Sequence, residues 1–437
     1  MFDLKSNKGV VVGYDLSDEY AQISYCRANG ADMGTVSTVP DKEQYAIPMC
    51  LFKRNEVNQW FAGAEAVSYS EMDEGELVWD LWSRAIEGKP VTVAGEEFDP
   101  LSLITLYVKR TMNVLTRTVN GENVIAIMFT VPKLTKRAIE VLHTVASSLE
   151  YKDIEVSYLG REESIYHYVI NQERELWKYD VMIYECRDNE LDCYRFYENK
   201  ITKPVVAFVD RFSMSLPAGP DEEKDKSFLS IVHDTTSGRV VTCGYLIGEG
   251  FTGRWCVESL KELCRNRRIF RGNNLYSRGA CYAMLDRLTG KKPEEKATVF
   301  LGEDKLKSNI GMDVVRAGKE SYLALLNGGE NWFDSKKSVD LIIDRGNSFT
   351  VTITPLDGRN VRKVEIVLDG LKDHEPKTVR IRVEALMESE ERLRLNVTDM
   401  GFGDFFPGSD QLFTQIISLS EADEPVSDDP DTAKNES

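Results

Sequence analysis

The sequence predicts an α/β fold followed by a region built mainly of β-strands. Residues 9–26, GVVVGYDLSDEYAQISYC, combine a short apolar run, a polar turn and an alternating segment, which indicates a β-hairpin with a buried first strand. Residues 123–160 place an apolar run, an amphipathic helix and a second strand in succession, and this order predicts parallel strands. Beyond residue 298 period-2 alternation dominates, so each strand is expected to have one buried face.

Composition excludes several classes of protein. The 437 residues suffice for two or three domains, and a formal charge of −18 argues against a general nucleic-acid binder. No apolar run reaches the ~18–20 residues that cross a bilayer, and the first residues lack the plan of a signal peptide. The 8 cysteines include no CxxC pair, which favours buried thiols in a reducing compartment. We therefore expect a cytoplasmic protein with no membrane span.

The last 17 residues hold much of the acidic excess. Residues 421–437, EADEPVSDDPDTAKNES, contain seven acids and one lysine. Such a segment buries too little apolar surface to fold, so a disordered solubilising tail is expected, with a docking tail as the alternative.

The opening hairpin carries Asp15 at the end of its first strand, followed by the turn Ser17-Asp18-Glu19. This stretch is similar to the first phosphate loop of the actin, DnaK-type chaperone and sugar-kinase superfamily. The resemblance implies that Ser17 and Asp18, at the tip, approach the terminal phosphates of ATP or ADP. It also implies that Asp15 lies near a bound magnesium ion.

Further segments follow in the superfamily's order. An apolar strand ends at the Val-Pro pair of residues 131–132, and the helix REESIYHYVINQ comes after the next strand. In the superfamily a hinge glutamate lies in this helix, and Glu163 occupies its place. The helix face that is small in the superfamily is here bulky, with Ile165, Tyr166 and Tyr168, which argues against tight closure over a nucleotide.

A second hairpin, DVMIYECRDNELDCYRFYEN, resembles the superfamily's second phosphate loop. Glu185 takes the place of the loop's first aspartate and Asp192 that of its second, but the family's glycines are replaced by Arg187, Asp188 and Asn189. Phosphate is held by bare backbone N–H groups, often at φ > 0, which glycine allows. The replacement predicts that this loop binds polyphosphate weakly or not at all.

Charge strengthens that prediction. Asp188 and Glu190 would bring negative charge towards the phosphates. One such repulsion at ~4 Å and an effective dielectric near 20 costs about 4 kcal/mol, roughly a thousandfold in affinity. Arg187 or a metal ion would offset part of it.

A glycine-rich turn after a later strand resembles the superfamily's adenosine loop. Gly248 and Gly250 lie in this turn, and Gly279, Ala280 and Cys281 match the closing helix. Glycines at a strand-to-helix turn suit close approach of a ligand, and they suit equally a tight turn with nothing bound.

The resemblance implies an α/β actin-like, ribonuclease H-like two-lobed domain followed by a β-sandwich. The expected boundaries are lobe I at 1–175, lobe II at 176–290, the sandwich at 295–420 and the acidic tail at 421–437. The sandwich resembles the substrate-binding domain of DnaK-type chaperones without its helical lid. It would hold an extended peptide by strand addition or only pack on the first domain or a partner.

A local cluster of arginines stands out in an acidic chain. Arg265, Arg267, Arg268 and Arg271 follow one another closely. A solvated rim is favoured over an RNA site because the chain as a whole is acidic.

We therefore hypothesise a chaperone-like pseudo-ATPase that acts as a protein-binding or scaffold module, with ATP/ADP–Mg binding weak or lost. One alternative is a working ATPase, in which Asp15 and Asp192 position magnesium and the attacking water, Glu163 links the lobes, and Gly248 and Gly250 line the adenosine. An actin-like filament protein is the other alternative.

Overall fold

The computed structural model divides the chain into two compact units, Met1–Gly302 and Glu303–Ser437. The residues that it describes are 9–39, 42–72, 74–151, 153–200, 205–290, 298–302, 304–356, 360–371, 375–401, 408 and 411–419. The predicted acidic tail, residues 421–437, lies outside the described residues.

The first half of the N-terminal unit contains a mixed sheet and the elements around it. These elements are β1 (Val10–Leu16), β2 (Tyr20–Arg27), β3 (Gly34–Thr35), β4 (Ile47–Pro48), β5 (Leu51–Arg54), β6 (Trp60–Ala62), α1 (Ala64–Ser70), β7 (Gly75–Val78), α2 (Leu81–Glu87), β8 (Val91–Val93), β9 (Glu96–Phe98), α3 (Pro100–Thr118), β10 (Val124–Val131), α4 (Lys136–Ser147), β11 (Glu155–Gly160) and α5 (Arg161–Ile170). The sheet has the order β11-β10-β1-β2-β3, with β4 also paired to β2.

The second half repeats this plan. Its elements are β12 (Asp180–Arg187), β13 (Glu190–Asn199), β14 (Val205–Ser215), α6 (Asp221–Thr236), β15 (Val241–Ile247), α7 (Val257–Leu263), β16 (Arg268–Arg271), α8 (Leu275–Thr289) and β17 (Thr298–Phe300). Its sheet has the order β16-β15-β12-β13-β14-β17.

The two sheets share strand order and direction. In the first, β1 pairs antiparallel with β2 and parallel with β10, which pairs parallel with β11. In the second, β12 pairs antiparallel with β13 and parallel with β15, which pairs parallel with β16. The last strand of each set leads into a helix, α5 or α8. The hairpins β1–β2 and β12–β13 therefore occupy equivalent places in the two sheets.

Helices α5 and α8 pack against each other and against the two sheets. Ile165, Tyr166 and Val169 of α5 lie in a core with strands of the second sheet, whereas Ala280 and Met284 of α8 lie in a core with strands of the first. Helix α5 thus contributes to the core of the second sheet, and α8 contributes to the cores of both sheets through Leu275, Tyr276, Ala280 and Met284.

Helices α5 and α8 meet through small residues and not through the bulky residues of α5. A Cβ added to Gly279 would lie 2.1 Å from the carbonyl oxygen of Ser164, so the helices approach through small residues. Ile165 and Tyr166 are buried in the neighbouring core instead. The glycine at position 279 is required by this helix contact.

Several elements follow from their local sequence. Asp99 accepts hydrogen bonds from the N–H groups of Leu101 and Ser102, and Pro100 is the first residue of α3, so an aspartate caps the helix and a proline begins it. The apolar run of β10 is almost wholly buried, as predicted. The described cysteines are free thiols, all buried except Cys264, which is exposed.

The C-terminal unit is strand-rich, which confirms the alternation seen in the sequence. Its strands are β18 (Ser308–Arg316), β19 (Lys319–Leu326), β20 (Lys336–Ile343), β21 (Ser348–Pro355), β22 (Arg362–Val367), β23 (Val379–Ser389), β24 (Arg392–Asp399) and β25 (Leu412–Ser418). They pair antiparallel in the orders β19-β18-β21-β22 and β20-β23-β24-β25. In β23, Ile381 and Val383 are buried while Glu384 is exposed, so one face of the strand packs in the core and the other faces solvent.

Candidate functional site

Asp15 lies near the carboxyl end of β1, between Thr130 of β10 and Gln22 of β2. Its side chain is fully buried. An ionised carboxylate in such a place is costly unless it is paired and hydrogen-bonded. The identity of its partner therefore decides what this end of the sheet can bind.

That partner is Arg161, the first residue of α5. Its Nε lies 3.0 Å from Asp15 Oδ1 and its Nη2 lies 3.1 Å from Oδ2, so the guanidinium donates a hydrogen bond to each carboxylate oxygen. The Arg161 side chain is 2 % exposed. This fork-to-fork geometry is the strong form of an ion pair.

Three further side chains enclose the Arg161 guanidinium. Its Nη1 lies 3.6 Å from Oε1 of Glu185, and its Cζ lies 4.5 Å and 5.7 Å from the ring centres of Tyr276 and Tyr20. The Tyr276 hydroxyl donates to Glu185 Oε2 over 2.7 Å. Arg161 therefore lies between the carboxylates of the two equivalent hairpins.

The second hairpin carries its own arginine pairs. Arg187 Nη2 donates to Asp192 Oδ2 over 2.8 Å, and its Nε lies 3.8 Å from Glu185 Oε1. Asp192 also accepts hydrogen bonds from Arg211 and Ser213, both on β14. Asp192 is thus held by three donors.

We call these groups the arginine–carboxylate network. Its members are Asp15, Glu185, Asp192, Arg161, Arg187 and Arg211, with Glu19 at its edge, 3.4 Å from Arg187. Within the described residues, Glu185 Oε1 is buried and makes no hydrogen bond, although it has arginine nitrogens at 3.6 Å and 3.8 Å. Apart from this oxygen, the hydrogen-bonding capacity of the carboxylates is largely used within the protein.

The pKa values follow from burial and pairing. Burial raises the pKa of Asp15 above its ordinary value despite the nearby Arg161 guanidinium. Burial lowers the pKa of Arg161, but Asp15 and its other anionic neighbours outweigh this and hold it well above the ordinary value. Arg161 therefore stays charged, and a buried carboxylate must face it.

Asp192 shows the opposite balance. Burial raises its pKa, but hydrogen bonds from Arg211 and Ser213, together with the charges of Arg211 and Arg187, bring it below the ordinary value of 3.8. Asp192 is ionised at neutral pH and is stabilised in that form.

The predicted tip residues of the first hairpin also have protein partners. The Ser17 hydroxyl donates to the carbonyl oxygen of Tyr20 over 3.0 Å and so closes its own turn. Asp18 accepts from both the backbone N–H and the hydroxyl of Ser83, in the first turn of α2. Both side chains are thus engaged in local structure.

Glu163, the predicted hinge residue, lies on α5 one turn before His167. Its Oε1 is 3.8 Å from His167 Nε2, and its side chain is about one-tenth exposed. The structure brings Asp15 and Asp192 into one network through Arg161, Glu185 and Arg187.

Gly248 and Gly250 pack against the second hairpin. Gly248 has φ = 90°, and an added Cβ would lie 2.4 Å from the carbonyl oxygen of Cys186. At Gly250 an added Cβ would lie 2.4 Å from Cys186 Sγ. Contact with β12 therefore accounts for both glycines, while Gly248 also lines a cavity of about 400 Å³.

Sequence reasoning missed Arg161 and Arg211. Arg161 opens a helix, where the dipole disfavours a positive charge, directly after the half-buried strand β11. That misplaced charge was a usable signal that a buried carboxylate lies nearby. Arg211 carried no comparable signal, because an arginine on an outer strand is ordinary.

Within the described residues, no group of three or more His, Cys, Asp or Glu side chains is arranged to hold a metal ion. None of the described helices has the length and apolar character needed to cross a bilayer.

Comparison with known proteins adds families without an assigned function. A model described as "Family of unknown function (DUF5716) C-terminal" matches residues 32–303, and a second, "Domain of unknown function (DUF8552)", matches residues 305–419. No curated protein matches the chain. The two matches meet close to the division between the compact units.

Proposed function

The chain belongs to the DUF5716 family, matched over residues 32–303, and because this family has no known function we propose one from the site itself. It is a divergent actin-like, DnaK-type chaperone-like protein whose nucleotide site is degenerate. It acts as a pseudo-ATPase, that is, as a binding or scaffold module for a protein partner.

One observation carries the proposal: the Arg161 guanidinium lies between Asp15 and Glu185. In the superfamily that this chain resembles, the corresponding hairpin carboxylates face magnesium and phosphate. Here a positive charge that belongs to the protein balances them. Both oxygens of Asp15 accept from Arg161, so a metal ion or its water would have to displace a buried, bidentate ion pair.

The second hairpin supports the same conclusion. The Asp188 carbonyl oxygen accepts from Lys224 Nζ over 2.9 Å, and Arg187 is paired with Asp192 and Glu19. The turn carries the side chains of Arg187, Asp188 and Asn189 where bare backbone would be needed for phosphate. The residues present therefore do not fit a magnesium–polyphosphate group.

The repeated topology supports the actin-like part of the proposal. Two sheets of the same order, each followed by a helix that contributes to the core of the other sheet, suit a duplicated ribonuclease H-like fold. Between β14 and β15 stands α6 alone among the described helices, so the lobe that supplies half of the adenine pocket in DnaK-type chaperones is reduced. The strand-rich C-terminal unit then corresponds to a β-sandwich that presents edges to a partner.

A thermal-shift titration with Mg-ATP and Mg-ADP tests the proposal. A ligand present at 100 times its Kd adds about 2.7 kcal/mol and would raise the melting temperature by several degrees. We expect no rise in melting temperature at millimolar nucleotide, because binding would require the Asp15–Arg161 ion pair to break.

A saturable rise in melting temperature with release of phosphate would overturn the proposal in favour of a working ATPase. The matched control is Lys89→Ala, a substitution of an exposed lysine that should leave the response to nucleotide unchanged.

A further inference from the structure

Strand β16 forms an open edge of the second sheet. It pairs with β15 on one side and stands last in the sheet order. At the other end of the sheet the short strand β17 pairs with residues 205–207 of β14. An edge strand presents unpaired N–H and C=O groups on which another extended segment can pair. Arg268–Arg271 is one such edge among the described residues of this sheet.

An aromatic cavity lies beside this edge. Phe270 is 37 % exposed and stacks on Tyr245 with 5.3 Å between ring centres. Tyr245 in turn meets Tyr168 edge-on at 5.5 Å. These three rings help line a cavity of about 180 Å³, a size that suits one apolar side chain.

Three arginines surround the edge and the cavity. Arg271 and Arg278 line the cavity, and Arg268 is exposed on the strand. Among the described residues none of the three forms an ion pair with a carboxylate. Arg271 donates to Cys256 Sγ over 3.3 Å, and Arg278 Nε is buried without a hydrogen-bond partner.

This arrangement is unusual for the chain. With a formal charge of −18 the protein has acids in excess, and the arginines of the arginine–carboxylate network all have carboxylate partners. Glu43 also lines the larger cavity that Arg271 and Arg278 border, but it forms no ion pair with Arg278 in the described structure. A local group of unneutralised guanidiniums therefore favours an anionic ligand.

We propose that the β16 edge binds an extended acidic peptide from a protein partner. The backbone of the peptide adds a strand to β16, its carboxylates pair with Arg268, Arg271 and Arg278, and one apolar side chain enters the cavity lined by Tyr168, Tyr245 and Phe270. Strand addition with a side-chain pocket is an established mode of peptide recognition. The inference rests on the protein-binding part of the proposed function and is separate from its nucleotide part.

A peptide suits the geometry better than a nucleic acid. An open strand edge offers alternating donors and acceptors, which match a polypeptide backbone and have no counterpart in a phosphodiester chain. Three arginines in a strongly acidic chain also provide few phosphate contacts. Binding of RNA is thus one of the outcomes that the test must separate.

The test selects short random peptides displayed on phage against the full-length chain and then measures binding of the enriched, fluorescein-labelled peptide by anisotropy. We expect enriched peptides to carry several acids and at least one large apolar residue. The double variant Arg268→Ala/Arg271→Ala should bind about tenfold more weakly, since each exposed ion pair contributes a small, salt-dependent share. Hydrogen exchange should show added protection at the amides of residues 268–271.

The matched control is Arg265→Ala, which removes a neighbouring exposed arginine that is already paired with Glu262 at 3.1 Å. It should leave the affinity unchanged. Enrichment of peptides without acidic residues, no enrichment at all, equal loss in the control, or tighter binding of a labelled oligouridine than of any peptide would overturn the proposal. Any of these results would leave the nucleotide part of the proposed function intact, because the thermal-shift titration measures that part separately.

Discussion

The hairpins β1–β2 and β12–β13 occupy equivalent places in two sheets of the same order, yet their turns are closed differently. In the first, the Ser17 hydroxyl bonds within the turn and Asp18 reaches out to Ser83. In the second, Arg187 lies opposite Glu190 in the register of the two strands, and Asp188 adopts φ = 49° in the tight turn between them.

The comparison separates the fold of a hairpin from its capacity to bind. A left-handed turn residue is needed for the tight turn, and aspartate tolerates that conformation well enough to replace glycine. The turn therefore keeps a tight shape without glycine at residues 187–189. Side chains extend from this backbone, and arginines neutralise the nearby carboxylates, which would otherwise attract a cation.

The largest effect is expected at the residue that joins the two hairpins. Arg161→Met should lower the free energy of unfolding by about 3–5 kcal/mol, because Asp15 and Glu185 would be left buried with less compensation. Urea denaturation measures this loss. Adding Asp15→Asn should recover part of it, since the uncompensated charge is removed. A loss below about 1 kcal/mol, or no recovery in the double variant, would mean that the pair is not the centre of the network.

A smaller effect is expected on the second hairpin alone. Asp192→Asn should cost about 1.5–3 kcal/mol at neutral pH, because Asp192 accepts charge-assisted hydrogen bonds from two arginines. The folded pKa of Asp192 lies below its ordinary value of 3.8, so this stability is present above pH 3.8 and is lost as the pH falls through the folded pKa.

Urea denaturation of wild type and Asp192→Asn at neutral and acidic pH measures the difference. The gap between the two proteins should narrow below pH 3.8. A gap that stays constant into acid would contradict the assigned role of the carboxylate.

The smallest effect is expected at the tip of the second hairpin. Asp188→Gly should change the free energy of unfolding by no more than about 0.5–1 kcal/mol, because the lower strain at positive φ offsets the greater freedom of the unfolded chain. It should not restore nucleotide binding, since Arg161 remains in place. Asn189→Gly is the matched control, and binding of Mg-ATP to the Asp188→Gly variant would show that the turn alone is the barrier.

What the sequence revealed was mostly local. The cap at Asp99, the buried run of β10 and the alternation of β23 depend on neighbours within a few residues, so pattern and propensity were sufficient. The absence of glycine from positions 187–189 was equally visible, because it depends only on the residues at those positions.

The partner of Asp15 could not be found in the same way. Arg161 is 146 positions away from Asp15 in sequence, and the two meet because the carboxyl ends of the parallel strands β1 and β11 lie at the same end of one sheet. Glu185 joins from the other sheet. Gly248 and Gly250 illustrate the same limit. The sequence indicated a turn that favours glycine, but it did not show that contact with Cys186 is the reason.

The most direct measurement of the central claim is a crystal structure of the chain grown with millimolar Mg-ATP. The account predicts that the Arg161 guanidinium stays bonded to both oxygens of Asp15 and that no phosphate lies at the second hairpin. Density for β- and γ-phosphates hydrogen-bonded to the amides of residues 187–189, with Arg161 displaced, would contradict it.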